Sequence, residues 1–247
     1  MTRRAVLVGC TGGVVALVVL AGGCSMLPAL PDPVPTSVVP SDLPQQTPTS
    51  SGNLSPDGFD SAQRMAVRIR NIGCGTLSTG SGFALDDHTL VTNRHVVKDS
   101  STLQLSTYDG RDLTAAAAST ADLADLAIVR TEDALPAAPE LAAADPAIGD
   151  TVTVVGYPLG RALTVTTGHV VSSETDPLNE NLGEVLVTDA PVEPGSSGSA
   201  VLDSDGRVVG VVYAKDSKGH SFVVPVSTLR SMLDDEASFT PTAPCTG

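Results

Sequence analysis

Pro194-Gly195-Ser196-Ser197-Gly198-Ser199-Ala200-Val201-Leu202 sets two serines between two glycines and follows them with an apolar run. Glycine at both ends suits a tight loop whose backbone visits conformations other residues avoid. Such a loop presents a hydroxyl and turns backbone N–H groups inward, where a developing oxyanion is stabilised. The same composition also describes an ordinary turn or a linker. What decides between them is whether the chain upstream supplies a histidine and a carboxylate.

There are four histidines. His88 sits in the turn after Asp86-Asp87, His169 in a strand-like run and His220 in a polar loop. None has the spacing of a zinc site or a cysteine pair beside it, so neither metal nor cofactor is expected. His95 follows Leu90-Val91-Thr92 and precedes Val96-Val97. A strand-to-turn junction of this kind holds a general base on a rigid element. The carboxylate comes from Asp122-Leu123-Ala124-Asp125-Leu126-Ala127-Ile128-Val129. Asp125 stands directly before the apolar strand. Drawn toward the interior, it needs a hydrogen-bond donor, and an imidazole N–H serves. Asp122, farther from the strand, is the alternative. The order His95, Asp125, Ser197 is that of the chymotrypsin group, not of subtilisins or α/β-hydrolases.

The surroundings are those of an all-β barrel or sandwich. Short apolar runs recur at Gly82-Phe83-Ala84-Leu85, Thr89–Thr92, Leu103–Leu105, Leu126–Val129, Thr151–Val155, Leu163–Thr166, Glu184–Val187, Val208–Val212 and Phe222–Val224. Asp86-Asp87, Asp109-Gly110 and Asp205-Gly206 between them are hairpin-type turns. Ala115 to Ala118 reads equally as strand or helix turn. Asp60 to Arg68 reads as a short lead-in helix. Pro225 to Glu236 reads as a closing helix, with Val226, Leu229 and Leu233 on one face. Aromatic residues make up 3% of the chain and Trp is absent, so Val, Leu, Ile and Ala must build the core. A net charge of −14 with only 14 Lys and Arg argues against nucleic acid as a partner.

The amino end has a different character. Arg3 and Arg4 precede an uncharged run from Ala5 to Gly23, which closes on Leu20-Ala21-Gly22-Gly23-Cys24. Residues 1–24 therefore read as a secretory signal. Small residues before Cys24 resemble a bacterial lipobox, which implies a lipid on Cys24 and a membrane tether; an uncleaved anchor helix is the alternative. All of these place the remainder outside the cytosol, in the cell envelope or secreted. Residues 25–58 interleave Pro with Ser, Thr, Gln and Asp and show no apolar periodicity, the composition of a disordered, extended linker. The folded domain is expected over 59–247.

Cys74 and Cys245 stand at either end of that domain. Outside the cytosol two such cysteines tend to pair, and a bridge closing so long a loop contributes roughly 5 kcal/mol by chain-entropy reasoning. Two free thiols, or pairing between molecules, are the alternatives.

Together the blocks Gly80-Ser81-Gly82-Phe83, Leu90-Val91-Thr92-Asn93-Arg94-His95-Val96-Val97, Asp125-Leu126-Ala127, Val155-Gly156-Tyr157-Pro158-Leu159-Gly160 and Gly195-Ser196-Ser197-Gly198-Ser199 resemble trypsin-like serine proteases of the bacterial high-temperature-requirement type. The resemblance implies two six-stranded antiparallel β-barrels with the active site between them. It makes Ser197 the nucleophile, His95 the base and Asp125 the orienting acid, with the N–H groups of Gly195 and Ser197 as the oxyanion hole. It implies an exported endopeptidase acting on proteins or peptides, in envelope quality control or stress response. The chain is also similar to membrane-tethered mycobacterial proteases associated with acid and oxidative stress. Those lack a PDZ module and bridge the two ends of the protease domain, as Cys74 and Cys245 would; no PDZ module is expected here. Two departures from the family pattern are Ser199 in place of glycine and Arg94 before the histidine. They leave a second reading open, an inactive or latent protease fold serving as a binding lipoprotein. A surface β-sandwich adhesin is a third.

Overall fold

The computed structural model describes residues 60–121, 124–178 and 183–245. The signal segment with Cys24, the linker, and Asp122 lie outside the described residues.

Asp60 caps a one-turn helix, α1 (Ser61–Arg64), through a reciprocal capping box with Gln63. The helix stops there, short of the expected Arg68. The next residues alternate and send Val67, Ile69 and Asn71 inward, so they form strand β1 (Ala66–Gly73). Next come β2 (Leu77–Asp86), β3 (Thr89–Asn93), the short helix α2 (Arg94–Val97), β4 (Ser100–Thr107), β5 (Asp112–Ala121) and β6 (Leu126–Thr131). The alanine run is strand, within β5. The antiparallel order β5-β4-β1-β2-β3-β6 closes on itself through β5–β6, which makes the first barrel.

The second barrel uses β7 (Thr151–Gly156), β8 (Thr164–Thr175), β9 (Glu184–Thr188), β10 (Ala200–Leu202), β11 (Val208–Lys215) and β12 (Ser221–Pro225), closed in the order β10-β11-β12-β9-β8-β7. The fold is thus the expected all-β pair of six-stranded antiparallel barrels. Helix α3 (Val226–Asp234) follows and buries Val226 and Leu229. All three Asp-containing turns fall at hairpins, β2–β3, β4–β5 and β10–β11.

Valine does most of the packing. One cluster, with Val152, Val154, Val170, Leu186, Val201 and Val223, fills the second barrel. Another runs from Met65, Ile69, Phe83 and Leu90 in the first barrel to Val155, Val211, Tyr213 and Phe222 in the second. Each such side chain contributes about 1.5–3 kcal/mol on full burial. The shared cluster is what sets the barrels against each other and makes the seam between them rigid.

The chain end returns to the first barrel. Strand β13 (Thr240–Pro241) pairs with β5, Cys245 donates its N–H to the Ser100 carbonyl, and a disulfide joins Cys245 to Cys74 across a sequence separation of 171.

Candidate active site

Asp125 is the residue on which the first barrel's half of the site turns. Its φ of 47° is left-handed, which aspartate tolerates better than most residues. That kink ends the loop and starts β6 opposite the end of β3. The Asp125 carbonyl accepts from the Arg94 N–H (2.9 Å) and the Asn93 side-chain amide (3.1 Å). Its Oδ1 accepts from the His95 N–H (3.1 Å), and Oδ2 meets His95 Nδ1 at 2.6 Å. Four bonds, two to its carbonyl and two to its carboxylate, therefore fix Asp125 against three consecutive residues, and Nε2 of His95 is left as the free end of the ring. The side chains are 47% and 19% exposed, so the imidazole stands at the surface while the carboxylate behind it is largely covered.

The Ser197 loop belongs to the second barrel but is sewn to the first by Ser81 of β2. This fully buried serine donates its N–H to the Ser197 carbonyl (2.8 Å) and its Oγ to the Gly195 carbonyl (2.8 Å). Ser81 Oγ also accepts from the Tyr157 N–H (2.8 Å), and its carbonyl accepts from Thr92 Oγ1 (2.6 Å). Gly198 makes this approach possible. Its φ is +86°, and a Cβ there would lie 2.0 Å from the Ser81 carbonyl oxygen. The loop is thereby held against Thr92, which lies on the strand that leads to His95.

The N–H groups expected to form an oxyanion hole are oriented in part by the peptide between Pro194 and Gly195. The Pro194 carbonyl accepts from the Leu159 N–H at 2.6 Å. In a planar trans peptide the N–H points opposite to the C=O, so the Gly195 N–H faces away from Leu159. Among the described residues, the N–H groups of Gly195 and Ser197 donate to no protein group, as an anion-binding pair requires. Ser197 Oγ, partly exposed, donates to the Tyr213 carbonyl at 3.4 Å; among the described residues no hydrogen bond joins it to His95. Long or unformed nucleophile–base bonds are usual before substrate binds.

Behind the loop, the Tyr213 hydroxyl donates to Asp176 Oδ1 at 2.6 Å, with both residues buried. Burial pushes the Tyr213 hydroxyl far above the ordinary phenol range, and the bond to Asp176 adds to the shift. The phenol thus stays neutral and remains a donor. Ser199, the departure from the family pattern, is fully buried, and its Oγ has no hydrogen-bond partner among the described residues. It occupies the notch left by Gly156, where a Cβ would sit 1.8 Å from that oxygen. On the rim, Lys215 Nζ reaches from β11 to the Val192 carbonyl (3.1 Å) and to Glu193 Oε2 (2.8 Å).

Sequence reasoning singled out His95, Asp125, Gly195 and Ser197, and assigned no role to Ser81, Asn93, Leu159, Asp176 or Tyr213. Ser81 carried one signal, its place between Gly80 and Gly82, which marks a close backbone approach. His88, His169 and His220 lie elsewhere. His88 Nδ1 meets the Thr131 carbonyl, and the other two stand beside Asp189 and Asp216.

Paired antiparallel barrels, with a His–Asp couple on one and a Gly-Ser-Ser-Gly loop on the other, define the chymotrypsin-like class. The sequence profile of the trypsin-like peptidase domain matches residues 80–211, and the chain belongs to that family. It is 33% identical over 238 residues to the mitochondrial serine protease HTRA2 of Bos taurus, covering 90% of this chain and 50% of that one. Against the serine protease Do-like HtrA of Bacillus subtilis the figures are 34% over 159 residues, 59% and 35%. The chain thus spans half or less of the length of these relatives. In structure it is similar to the active form of the Rv3671c protease from M. tuberculosis, with a TM-score of 0.64 and 25% identity over 79% of this chain and 91% of that one.

Proposed function

We propose that this chain is an exported serine endopeptidase that cleaves protein or peptide substrates through an acyl-enzyme. The observation that carries the reading is the fixed Asp125–His95 couple set across Ser81 from the Ser197 loop. In this mechanism His95 Nε2 takes the proton of Ser197 as Oγ attacks the peptide carbonyl. Asp125 holds the tautomer and stabilises the imidazolium. The Gly195 and Ser197 N–H groups receive the tetrahedral oxyanion, and the proton on His95 then goes to the leaving amine. Pro191, standing where trypsin-type enzymes carry an acid, removes the reason for a basic residue on the acyl side of the bond. A small or apolar residue there fits the reading. Membership of the trypsin-like peptidase family and similarity to HtrA-type proteases support the chemistry. The signal and lipobox at 1–24, the linker over 25–58 and the protease domain over 59–247 make it an envelope protein facing outward, tethered through Cys24, with a part in protein quality control or stress response.

Digestion of a denatured protein tests this. Fragments are expected from wild type and none from Ser197→Ala or His95→Ala; equal digestion by all three would overturn it. Fractionation of Cys24→Ala cells tests the tether, with release of the protein from the membrane expected and unchanged membrane retention contradicting it. One observation favours a second reading, a latent protease fold: the Ser197 hydroxyl is engaged by Tyr213 and not by His95. Absence of digestion across pH, with folding intact, would select it.

A further inference from the structure

A groove of about 630 Å³ runs over the outer face of the first barrel, along β1, β2 and β4. Arg68 and Arg70 on β1 line it, with Thr79 of β2, Gln104 of β4, and Gly160 at its end. Arg70 is registered between Thr79 on one side and Gln104 on the other, so it stands in the middle of the groove. Neither arginine forms an ion pair among the described residues, whereas Lys98, Arg207 and Lys215 pair with Asp99, Asp203 and Glu193. The one carboxylate lining the groove, Asp112, accepts from Ser106 Oγ at 3.0 Å. In a chain with net charge −14 and only 14 Lys and Arg, two guanidiniums against one carboxylate in one concavity are a local reversal of sign.

The groove adjoins the two segments that hold the Ser197 loop. Thr79 is two residues before Ser81, the residue bonded to the Ser197 and Gly195 carbonyls, and Gly160 follows Leu159, which holds the Pro194 carbonyl. Along β2 it comes beside His95, since Gly80, next to Thr79, leaves room on the opposite face of the strand for the side chain of Val96, the residue after His95. His95 protonates the leaving amine, so this is the side on which the leaving portion of a substrate departs. At about 3.3 Å per extended residue, Thr79 and Leu77 face roughly the second to fourth residue beyond the cleaved bond.

We infer that this groove binds an acidic stretch of the substrate on its leaving-group side, with the Arg68 and Arg70 guanidiniums as the carboxylate ligands; the inference rests on the endopeptidase reading above. Arginine offers a planar fork of donors that matches a carboxylate in two-point contact. The rest of the surface repels acidic peptides, and this field is screened beyond about 8 Å at physiological salt, so recognition is short-ranged and local.

The test uses Ser197→Ala protein, which binds without turnover, and fluorescein-labelled peptides of equal length carrying Glu-Glu-Glu or Ala-Ala-Ala in the second to fourth positions after an Ala-Ala bond. Fluorescence anisotropy is expected to show the acidic peptide bound about tenfold tighter at low salt, the size of one to two charge-assisted contacts at a partly exposed site. The preference should fall away in Arg68→Gln/Arg70→Gln and at high salt. Because Arg68 is partly buried, the exposed Arg70→Glu is the second variant, and it should favour a Lys-Lys-Lys peptide instead. Equal binding of acidic and neutral peptides, or an acidic preference that survives both variants, overturns the inference. Fluorophosphonate labelling of wild type runs in parallel. Labelling with no acidic preference removes the groove alone, whereas absence of labelling removes the endopeptidase reading, and peptide binding still decides the groove.

Discussion

Leu159 donates its backbone N–H to the Pro194 carbonyl at 2.6 Å, and does so from a left-handed conformation with φ 56°. A residue with a side chain held there is costly, and the bond it makes turns the Gly195 N–H toward the space in front of Ser197. Leu159→Gly keeps the donor and relieves the conformation, so labelling of Ser197 should be preserved. Leu159→Val makes the left-handed turn harder to hold by about 1–2 kcal/mol. The fluorophosphonate labelling rate is expected to fall by about tenfold for Val and not for Gly. Equal rates for the two would show that the turn does not govern the hole.

Asp125 keeps the proton of His95 on Nδ1, because its Oδ2 is 2.6 Å away and can only accept while ionised. Asn at this position offers an amide donor in the same place and admits the wrong tautomer. Asp125→Asn is therefore expected to lower kcat by about 10⁴-fold with KM nearly unchanged, the size of the effect known for such a couple. A loss below about tenfold would remove Asp125 from the orienting role.

Ser199 and Gly156 share one space. The Ser199 hydroxyl is buried without a partner among the described residues, so Ser199→Ala should stabilise the fold by at most about 1–2 kcal/mol or leave it unchanged. Gly156→Ala should cost about 1–3 kcal/mol, because its Cβ would meet Ser199 Oγ at 1.8 Å. Ser199→Ala in the same chain removes that oxygen and should recover part of the loss. Thermal melts of the four proteins give the coupling directly, and strict additivity would mean that the two residues do not compete.

The barrels were legible in the sequence because valine alternation, and Asp or Gly at hairpins, are local signals that tertiary packing reinforces. The meeting of His95 with Asp125 was legible through their order and their flanking blocks. What could not be read was everything that depends on one barrel meeting the other. Ser81 is an ordinary strand serine until the Ser197 loop lies against it. Tyr213 and Asp176 are far apart in the chain and carry no shared motif. The groove at Arg68 and Arg70 needs three strands side by side, and the sequence alone puts Arg68 in the lead-in helix. The pairing of Ala66–Gly73 with two neighbours overrides that local reading.

Asp203, in the β10–β11 turn, titrates below the ordinary carboxylate range. Burial opposes this, but the N–H groups of Arg207 and Asp205 and the Arg207 guanidinium (Nε–Oδ2 2.9 Å) outweigh it. A depressed folded pKa means that the stabilisation is present above the unfolded value of about 3.9 and is lost as pH falls through the folded one. Asp203→Asn should therefore be about 1 kcal/mol less stable than wild type at pH 7, with the gap closing below about pH 4. Urea melts at pH 7 and pH 3 check the sign; a gap that widens in acid would contradict it.

Cys74–Cys245 ties the chain end to the first barrel, at the far end of the strand that carries Arg68 and Arg70. Cys74→Ser/Cys245→Ser should lose about 2–5 kcal/mol of stability. Once folded it should label at the wild-type rate, because among the described residues no hydrogen bond joins either cysteine to the Ser197 loop. A melt unchanged by reductant would contradict the stabilising role.

The central claim is that Ser197, activated by His95 and Asp125, is a nucleophile. Fluorophosphonate labelling read by intact mass and peptide mapping tests it most directly. One adduct is expected on Ser197 in wild type, with none in Ser197→Ala and strong slowing in His95→Ala. An adduct on Ser196 or Ser199, or labelling that survives in Ser197→Ala, would contradict it.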